Sequence, residues 1–167
     1  MQKLACLFVS TLILTSCSHT YYVVRHAEKA VPSAGVTMST PDDPPLSEAG
    51  TKRAEALKVV LKDKQIKNIY STNTKRTRLT AEPLGALAGL TIQTYGPRPD
   101  SLFINKLKML SSNTLIVGHS NTVDDVVNGL LDQSKLTDLA DSEYDNLFVV
   151  RYKNFFGKRI KYERRKY

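Results

Sequence analysis

Two histidines in this chain stand directly after short apolar runs of β type. Arg25 and His26 follow residues 21–24, and His119 follows residues 114–117 and Gly118. Ligands of α/β domains bind beyond the carboxyl ends of the strands, so two imidazoles at strand ends can converge on one pocket. An arginine beside the first histidine indicates an anionic ligand, and phosphate fits this combination.

The basic residues suit the hydrolysis of a phosphate monoester. That reaction needs cationic donors for the phosphoryl oxygens, an in-line nucleophile and a proton for the leaving alkoxide. Arg25 is one donor, and a second basic cluster at Lys75, Arg76 and Arg78 opens a predicted helix, where backbone N–H groups also favour an anion. A neutral imidazole can act as the nucleophile while the second donates a hydrogen bond, and this route needs no metal or other cofactor.

The elements that would position these residues alternate along the chain. Apolar runs predict strands at residues 21–24, 67–70, 90–95, 114–117, 146–152 and 159–162. Helical patterns cover residues 47–62, 74–87, 101–110 and 121–131, with Ser47 as an N-cap and Pro83 expected to bend or restart the second helix. This order predicts an α/β three-layer sandwich: a mostly parallel central sheet, helices on both faces, and an antiparallel C-terminal edge hairpin.

Four sequence blocks together resemble a known family. They are Arg25-His26-Ala27-Glu28, Leu46-Ser47-Glu48-Ala49-Gly50, Ser71-Thr72 with Arg76-Thr77, and Val117-Gly118-His119-Ser120-Asn121. In type and order they are similar to the histidine phosphatase superfamily, in its phosphoglycerate-mutase-like branch, over about residues 20 to 152. The resemblance implies that His26 is the phosphoryl-accepting nucleophile and that Arg25, Arg76 and His119 complete the phosphate pocket. The second block looks like the family's helix start, with a capping role.

The acid that would protonate the leaving group has no strong motif. Asp100 is the first candidate because it lies in a loop beyond a predicted strand, and Glu82, on a helix beside Pro83, is the second. Asp124 and Asp125 follow His119 on a helix, where a first-turn interaction with the helix dipole is expected, although one of them could orient the histidine. Without an acid, substrates with better leaving groups would be favoured.

The N-terminus predicts export. Residues 1–16 combine one lysine, an apolar stretch and a small-residue exit, which is typical of a secretory signal peptide; a buried helix is the alternative. Leu14-Thr15-Ser16-Cys17 resembles a bacterial lipobox, so we expect a lipid on Cys17 and a protein on the periplasmic face of the outer membrane or the cell surface. Residues 17–19, including His19, would be anchor and linker, and residues 20–167 a single domain.

Charge and composition limit the partners. The formal charge of +8 owes much to the C-terminal residues 158–166, for which a solvated strand face and a patch for anionic lipid or substrate are both open. No nucleic-acid recognition module is visible. Residues 30–45 hold four prolines and two aspartates, which predicts a loop, either facing substrate over the pocket or merely solvated.

Competing enzymatic interpretations fit less well. A serine hydrolase needs Gly-x-Ser-x-Gly and a later histidine, but Thr122 replaces the last glycine and no histidine follows His119. A zinc hydrolase lacks a His-x-x-x-His pair, and the arginines would repel a cation. The sequence therefore predicts a phosphatase for a phosphorylated small molecule or phosphoprotein. A phosphoglycerate-mutase-type phosphotransferase and a lipoprotein that binds phospholigands without turnover remain open.

Overall fold

Six strands and four helices follow one another within the described part of the chain. The computed structural model describes residues 18–31, 43–154 and 157–167, with only the backbone of residues 154 and 158. The elements are β1 Ser18–Arg25, α1 Glu48–Leu61, β2 Asn68–Thr72, α2 Lys75–Ala88, β3 Ile92–Tyr95, α3 Ser101–Met109, β4 Thr114–Gly118, α4 Val123–Leu131, β5 Asn146–Asn154 and β6 Lys158–Lys166. Every predicted strand and helix is present.

Some sequence-based predictions concern residues outside this description. The predicted signal segment and Cys17 lie in residues 1–17, and most of the predicted substrate-facing loop lies in residues 32–42. Among the residues that are described, no helix combines the length and the apolar character needed to cross a membrane.

The strands form one mixed sheet in the order β3-β2-β4-β1-β5-β6. The four strands on one side, β3, β2, β4 and β1, are parallel to one another, whereas β5 is antiparallel to β1 and β6 is antiparallel to β5. The predicted fold class is therefore confirmed, including the C-terminal antiparallel hairpin at the sheet edge. Parallel pairing of β1 with β4 brings their carboxyl ends to the same edge of the sheet.

Helices cover both faces of the sheet and enclose two hydrophobic cores. Alternate residues of β1 enter opposite cores: Val23 lies under α3 and α4, and Val24 lies under α1 and α2. Both side chains have no exposed surface, as expected for a central strand of a covered sheet. Burying an aliphatic side chain of this size stabilises the fold by roughly 1.5–3 kcal/mol. The two cores thus hold β1 from both sides.

The sheet begins earlier than the sequence predicted. His19 lies in β1 and only 6% of it is exposed, so the expectation that it is linker is wrong. Its Nε2 lies 3.0 Å from the Tyr21 hydroxyl, and its ring contacts those of Tyr21 and Tyr152, each at a centroid distance of 5.2 Å. Aromatic packing and this hydrogen bond explain why a polar residue extends the strand.

Pro83 does not restart the second helix. α2 runs from Lys75 to Ala88 with Pro83 inside it. Proline removes one helical N–H donor, but Ala81 and Leu84 on either side of it are buried in the core under α1 and α2. Tertiary packing of this helix face therefore outweighs the missing hydrogen bond.

Ser47 and Gly50 fasten α1 to the segment that follows β1. The Ser47 side chain accepts a hydrogen bond from the Gly50 N–H at 3.0 Å, which confirms Ser47 as the N-cap. The Ser47 N–H donates to the Glu28 carbonyl at 2.9 Å. A Cβ on Gly50 would lie 2.1 Å from that same carbonyl oxygen. Only glycine lets the first turn of α1 approach the Arg-His segment this closely.

We expect Gly50→Ala to destabilise the protein by roughly 1–3 kcal/mol because the added methyl group overlaps the Glu28 carbonyl. Helix propensity alone predicts the opposite sign, a gain of up to about 1 kcal/mol. Gly96→Ala is the matched control, since its Cβ would meet only the Arg98 carbonyl oxygen, at 3.4 Å. Urea denaturation measures both variants, and a Gly50→Ala protein at least as stable as the parent would contradict this packing.

Candidate active site

The four residues predicted to form a phosphate site line one pocket at the carboxyl edge of the sheet. Arg25 pairs with Gly118 across β1 and β4, and the His26 N–H donates to the Gly118 carbonyl at 2.8 Å. The pocket has a volume of about 440 Å³. Besides Arg25, His26, Arg76 and His119, its lining includes Lys29, Thr74, Pro97, Ser120, Asn121 and Asp141.

Arg25 is buried, with only 5% of its surface exposed, and several contacts fix its side chain. One guanidinium nitrogen, Nη1, donates to the carbonyl oxygens of Ala140 at 2.9 Å and Asp141 at 3.1 Å. The guanidinium carbon lies 4.1 Å from the centroid of the Tyr144 ring, a cation–π contact. These contacts fix the orientation of a buried cation and leave its other donors for an anion in the pocket.

His26 is oriented by its own backbone neighbour. Its Nδ1 lies 2.8 Å from the Ala27 carbonyl oxygen, which can only accept, so Nδ1 carries the proton and Nε2 is the unprotonated nitrogen of the neutral ring. The Ala27 N–H donates to the Thr80 hydroxyl at 2.9 Å, and Thr80 in turn donates to the Arg76 carbonyl at 2.7 Å. This chain of bonds ties the histidine segment to α2.

His119 faces His26 with a ring-centroid distance of 5.3 Å. The Arg76 Nη2 lies 3.4 Å from its Nδ1, and the Thr72 hydroxyl lies 2.9 Å from its Nε2. A guanidinium only donates, so Nδ1 accepts from Arg76 and Nε2 carries the proton that Thr72 accepts. The Thr72 hydroxyl in turn donates a hydrogen bond to the Thr77 hydroxyl at 3.0 Å, so every group in this chain has a consistent donor or acceptor role.

The environment keeps both imidazoles neutral. Burial lowers the pKa of His26 to about 3, and the charges of His119, Arg76 and Arg25 act in the same direction against the opposing bond to Ala27. Burial and the same two arginines lower the pKa of His119 to about 4, with Asp43 opposing. A neutral ring with a free nitrogen lone pair is the form that can attack phosphorus.

Asp43 is a residue of this site that the sequence analysis did not single out. Its carboxylate accepts from the Lys75 N–H at 2.9 Å and lies 3.5 Å from the Arg76 Nη1. An anion at the first turn of α2 interacts favourably with the helix dipole. The predicted anion position at this helix start is thus occupied by a carboxylate of the chain itself. Asp43 lies in a proline-rich segment 32 residues before Lys75 in the sequence, so no local sequence pattern indicates their contact.

The segment after α4 was also missed. The carbonyl groups of residues 140 and 141 hold Arg25, and the Tyr144 ring lies 6.0 Å from the His26 ring. Backbone carbonyls carry no sequence signature, and no element or role was predicted for residues 132–145. The antiparallel pairing of β5 with β1 places this segment beside Arg25 and His26.

The candidates for the leaving-group acid do not join the four basic residues. The Asp100 carboxylate accepts from the Phe103 N–H at 2.8 Å as the N-cap of α3, and neither Asp100 nor Glu82 lines the pocket. Glu82 lines a separate cleft beside Arg78 and Ile92. The acid role of Asp100 stays a prediction, and the contacts of this residue support a capping role.

Three further carboxylates, those of Glu28, Asp141 and Asp124, differ in their surroundings. Glu28 accepts from both Nε and Nη2 of Arg53, and this hydrogen bonding lowers the pKa of Glu28. Asp141 lines the pocket with a fully exposed side chain 3.8 Å from Arg25. Asp124 lies in the first turn of α4, the position expected for an interaction with the helix dipole, but burial raises the pKa of its carboxyl group. Among the described residues, no group of three or more His, Cys, Asp or Glu side chains is placed to hold a metal ion.

Known proteins share this fold. The family model described as the histidine phosphatase superfamily (branch 1) matches residues 21–96. The structure of protein histidine phosphatase SixA complexed with tungstate superposes with a TM-score of 0.65 at 16% identity, over 88% of this chain and 96% of that one. The complex of mycobacterial glucosyl-3-phosphoglycerate phosphatase with inorganic phosphate superposes with a TM-score of 0.63 at 16% identity, over 86% of this chain and 95% of that one. Bacillus stearothermophilus YhfR superposes with a TM-score of 0.61 at 16% identity, over 87% of this chain and 96% of that one.

No curated protein sequence matches the chain significantly. The histidine phosphatase model thus matches residues 21–96, and the fold is shared with solved phosphatases. The resemblance found in the sequence blocks agrees with this family-model match, which includes the first three of the four blocks.

The capping role of Asp100 predicts opposite behaviour for two variants. Asp100→Ala should lower the free energy of unfolding by about 1 kcal/mol, whereas Asp100→Asn should retain it, since asparagine is an equally good N-cap. General-acid catalysis contributes roughly 10²–10⁴-fold, so the turnover of an alkyl phosphate by Asp100→Asn separates the two roles, and a change within about twofold is the result expected for capping alone. A stable Asp100→Asn protein with a loss of that size would instead establish Asp100 as the acid.

The lowered pKa values predict how the two site histidines titrate. Nitrogen-15 NMR of the ring nitrogens should show His26 and His119 neutral from pH 8 down to about pH 5. The unfolded chain binds protons on these rings near the ordinary value of 6.5, but the folded chain does not. The stability they contribute is therefore complete above pH 6.5 and is lost as the pH falls toward 4. Titration of either ring near pH 6.5 in the folded protein would contradict this assignment.

Proposed function

We propose that this protein is a metal-independent phosphatase that hydrolyses a phosphate monoester through a phosphohistidine on His26. The observation that carries the proposal is the neutral His26 ring, whose Nδ1 is fixed by Ala27 while Arg25, Arg76 and His119 surround the same pocket. Arg25, which is buried, and Arg76, which is partly buried, provide charge for a dianion, and Nε2 of His26 supplies the nucleophile. Two structural neighbours were solved as complexes with inorganic phosphate and with tungstate, which supports an oxyanion in this pocket.

Binding begins with the arginines. Arg25 is already oriented by backbone carbonyls, so little side-chain entropy is lost when it donates to a phosphoryl oxygen. Arg76 is held more loosely, at 3.4 Å from His119 and 3.5 Å from Asp43. A phosphate dianion offers Arg76 a stronger acceptor than either. When Arg76 turns to the phosphate, His119 Nδ1 is released and can carry the proton while Nε2 accepts from Thr72.

Phosphoryl transfer then proceeds in two displacements. His26 Nε2 forms a bond to phosphorus as the bond to the leaving oxygen breaks, and that oxygen takes its proton from the substrate, from water or from an acid. Negative charge on the phosphoryl oxygens is stabilised by the arginines and by His119 Nδ1–H. Water next attacks the phosphohistidine, the N–P bond breaks, inorganic phosphate leaves, and His26 returns to its neutral form.

The substrate class is a phosphorylated small molecule or a phosphoprotein. We further propose, from the sequence alone, that the protein acts outside the cytoplasm with a lipid on Cys17. A phosphoglycerate-mutase-type transfer and binding without turnover are the alternatives that the following experiment separates from hydrolysis.

His26→Ala should abolish both turnover and the phosphoenzyme, lowering kcat by at least about 10³-fold because the nucleophile is gone. Brief incubation with a phosphorylated substrate, followed by quenching, should leave acid-labile, base-stable phosphate on His26 of the parent protein. The dissociation constant of the variant for inorganic phosphate should stay within about tenfold of the parent value, since both arginines remain. EDTA should change neither result.

His19→Gln is the matched control, because His19 lies in the core far from the pocket and should leave the phosphoenzyme intact. Absence of both phosphoenzyme and phosphate release across a broad substrate panel, with phosphate binding retained, would establish a binding protein. Recovery of the phosphoryl group on a second hydroxyl rather than in water would establish a mutase.

A further inference from the structure

A group of cations lies on one face of the C-terminal hairpin. Across β5 and β6, Arg151 stands opposite Lys161, and Lys153 stands opposite Arg159. Opposed residues point to the same face of a sheet, as do residues two apart. The four side chains therefore form a quadrilateral with sides of roughly 5 and 7 Å, given the usual strand spacing and rise. We call these four residues the basic patch.

The basic patch is accessible and poorly neutralised. Lys153, Lys161 and Arg159 are exposed, and 68% of the Lys161 side chain is accessible. One carboxylate, Glu163, lies on the same face, and it is shared between Lys161 at 2.8 Å and Arg165. Within the described residues, Arg151, Lys153 and Arg159 have no carboxylate at ion-pair distance, although other exposed cations of the hairpin, such as Arg164 and Lys166, have one.

This arrangement lowers the stability of the hairpin. Like charges directly opposite each other across an antiparallel pair are destabilising. Protection of an edge strand against aggregation explains lysine or arginine on β6, but it does not explain matching cations on β5, which is paired on both sides. Two like-charged cross-strand pairs side by side indicate that the counter-charge comes from outside the chain.

The position of the basic patch limits the classes of partner that it could bind. Its neighbours on β1 are Ser18, opposite Lys153, and Thr20, opposite Arg151. These residues form the amino end of β1, whereas Arg25 forms the carboxyl end, about 23 Å away at the usual rise per residue. An anionic substrate bound at the basic patch would thus be remote from His26. Ser18 directly follows Cys17, the predicted lipid attachment point.

We infer that the basic patch binds the surface of a membrane that contains anionic phospholipids. The multivalent, flat array of cations on a sheet face is complementary to a layer of phosphodiester headgroups. The charges of the described residues carry this inference, which does not require the lipid on Cys17. If that lipid is present, the two attachments reinforce each other, since one acyl chain and a basic patch together give stable anchoring.

Contact of the basic patch with lipid leaves the catalytic pocket uncovered. The pocket lies at the carboxyl ends of β1 and β4, about 23 Å along the strand from the patch at the usual rise per residue. A soluble phosphorylated substrate then reaches His26 without crossing the headgroup layer.

The test compares vesicle binding of the full-length chain and of a charge-reversed variant, so that the N-terminal segment contributes equally. Vesicles of phosphatidylcholine alone and with about 30 mol% phosphatidylglycerol are used at about 50 and about 500 mM NaCl. Arg159→Glu with Lys161→Glu reverses the β6 side and places opposite charges across from Lys153 and Arg151. This variant should be at least as thermally stable as the parent. Lys106→Glu with Lys135→Glu, on the α3 and α4 side, is the control of equal charge change.

The parent and the control should prefer phosphatidylglycerol vesicles at low salt and lose that preference at high salt. In the β6 variant this preference for phosphatidylglycerol vesicles should fall at least about tenfold, since each cation near the surface raises the binding constant roughly fivefold. All three proteins should hydrolyse an aryl phosphate equally, so a defect in catalysis would concern the proposed function alone. Equal binding of the parent to both vesicle types, or an unchanged preference in the β6 variant, would overturn the inference. Loss of binding to single-stranded DNA instead of vesicles would assign the patch to nucleic acid and would also overturn it.

Discussion

The parallel pairing of β1 with β4 is the constraint on which the site depends. The bond from the His26 N–H to the Gly118 carbonyl, 2.8 Å long, fixes the two strand ends side by side. A Cβ on Gly118 would lie 2.8 Å from the Tyr95 hydroxyl and 2.9 Å from the Thr122 hydroxyl, so this strand end accepts only glycine. A slip of one residue would turn His119 to the other face of the sheet. Core packing on both faces prevents that slip.

Burial of positive charge is the second determinant. Arg25 and Arg76 are largely removed from water, yet each keeps a buried Nε without a hydrogen-bond partner among the described residues. Carbonyl groups, the Tyr144 ring and Asp43 compensate them only in part. The same burial that makes the arginines strong anion donors keeps the imidazoles neutral. The proposed anion binding and the proposed nucleophilicity of His26 therefore have one physical origin.

The two ends of the sheet carry different groups. At the carboxyl ends, parallel strands, helix starts and the segment after α4 concentrate polar groups in a pocket. At the amino end of β1, the antiparallel hairpin presents opposed cations to solvent. The rigid sheet between them keeps the candidate active site and the proposed lipid-binding patch roughly 23 Å apart.

The sequence by itself determined the elements and the residues that converge, because strand and helix periodicity and strand-end position are local properties. It predicted the sheet, the Ser47 cap, and the meeting of Arg25, His26, Arg76 and His119. Tertiary structure decided the rest: the buried place of His19 in β1, the unbroken helix through Pro83, the contact of Asp43 with Arg76, and the capping contact of Asp100. Each of these depends on partners distant in sequence or on packing energy that a local pattern does not contain.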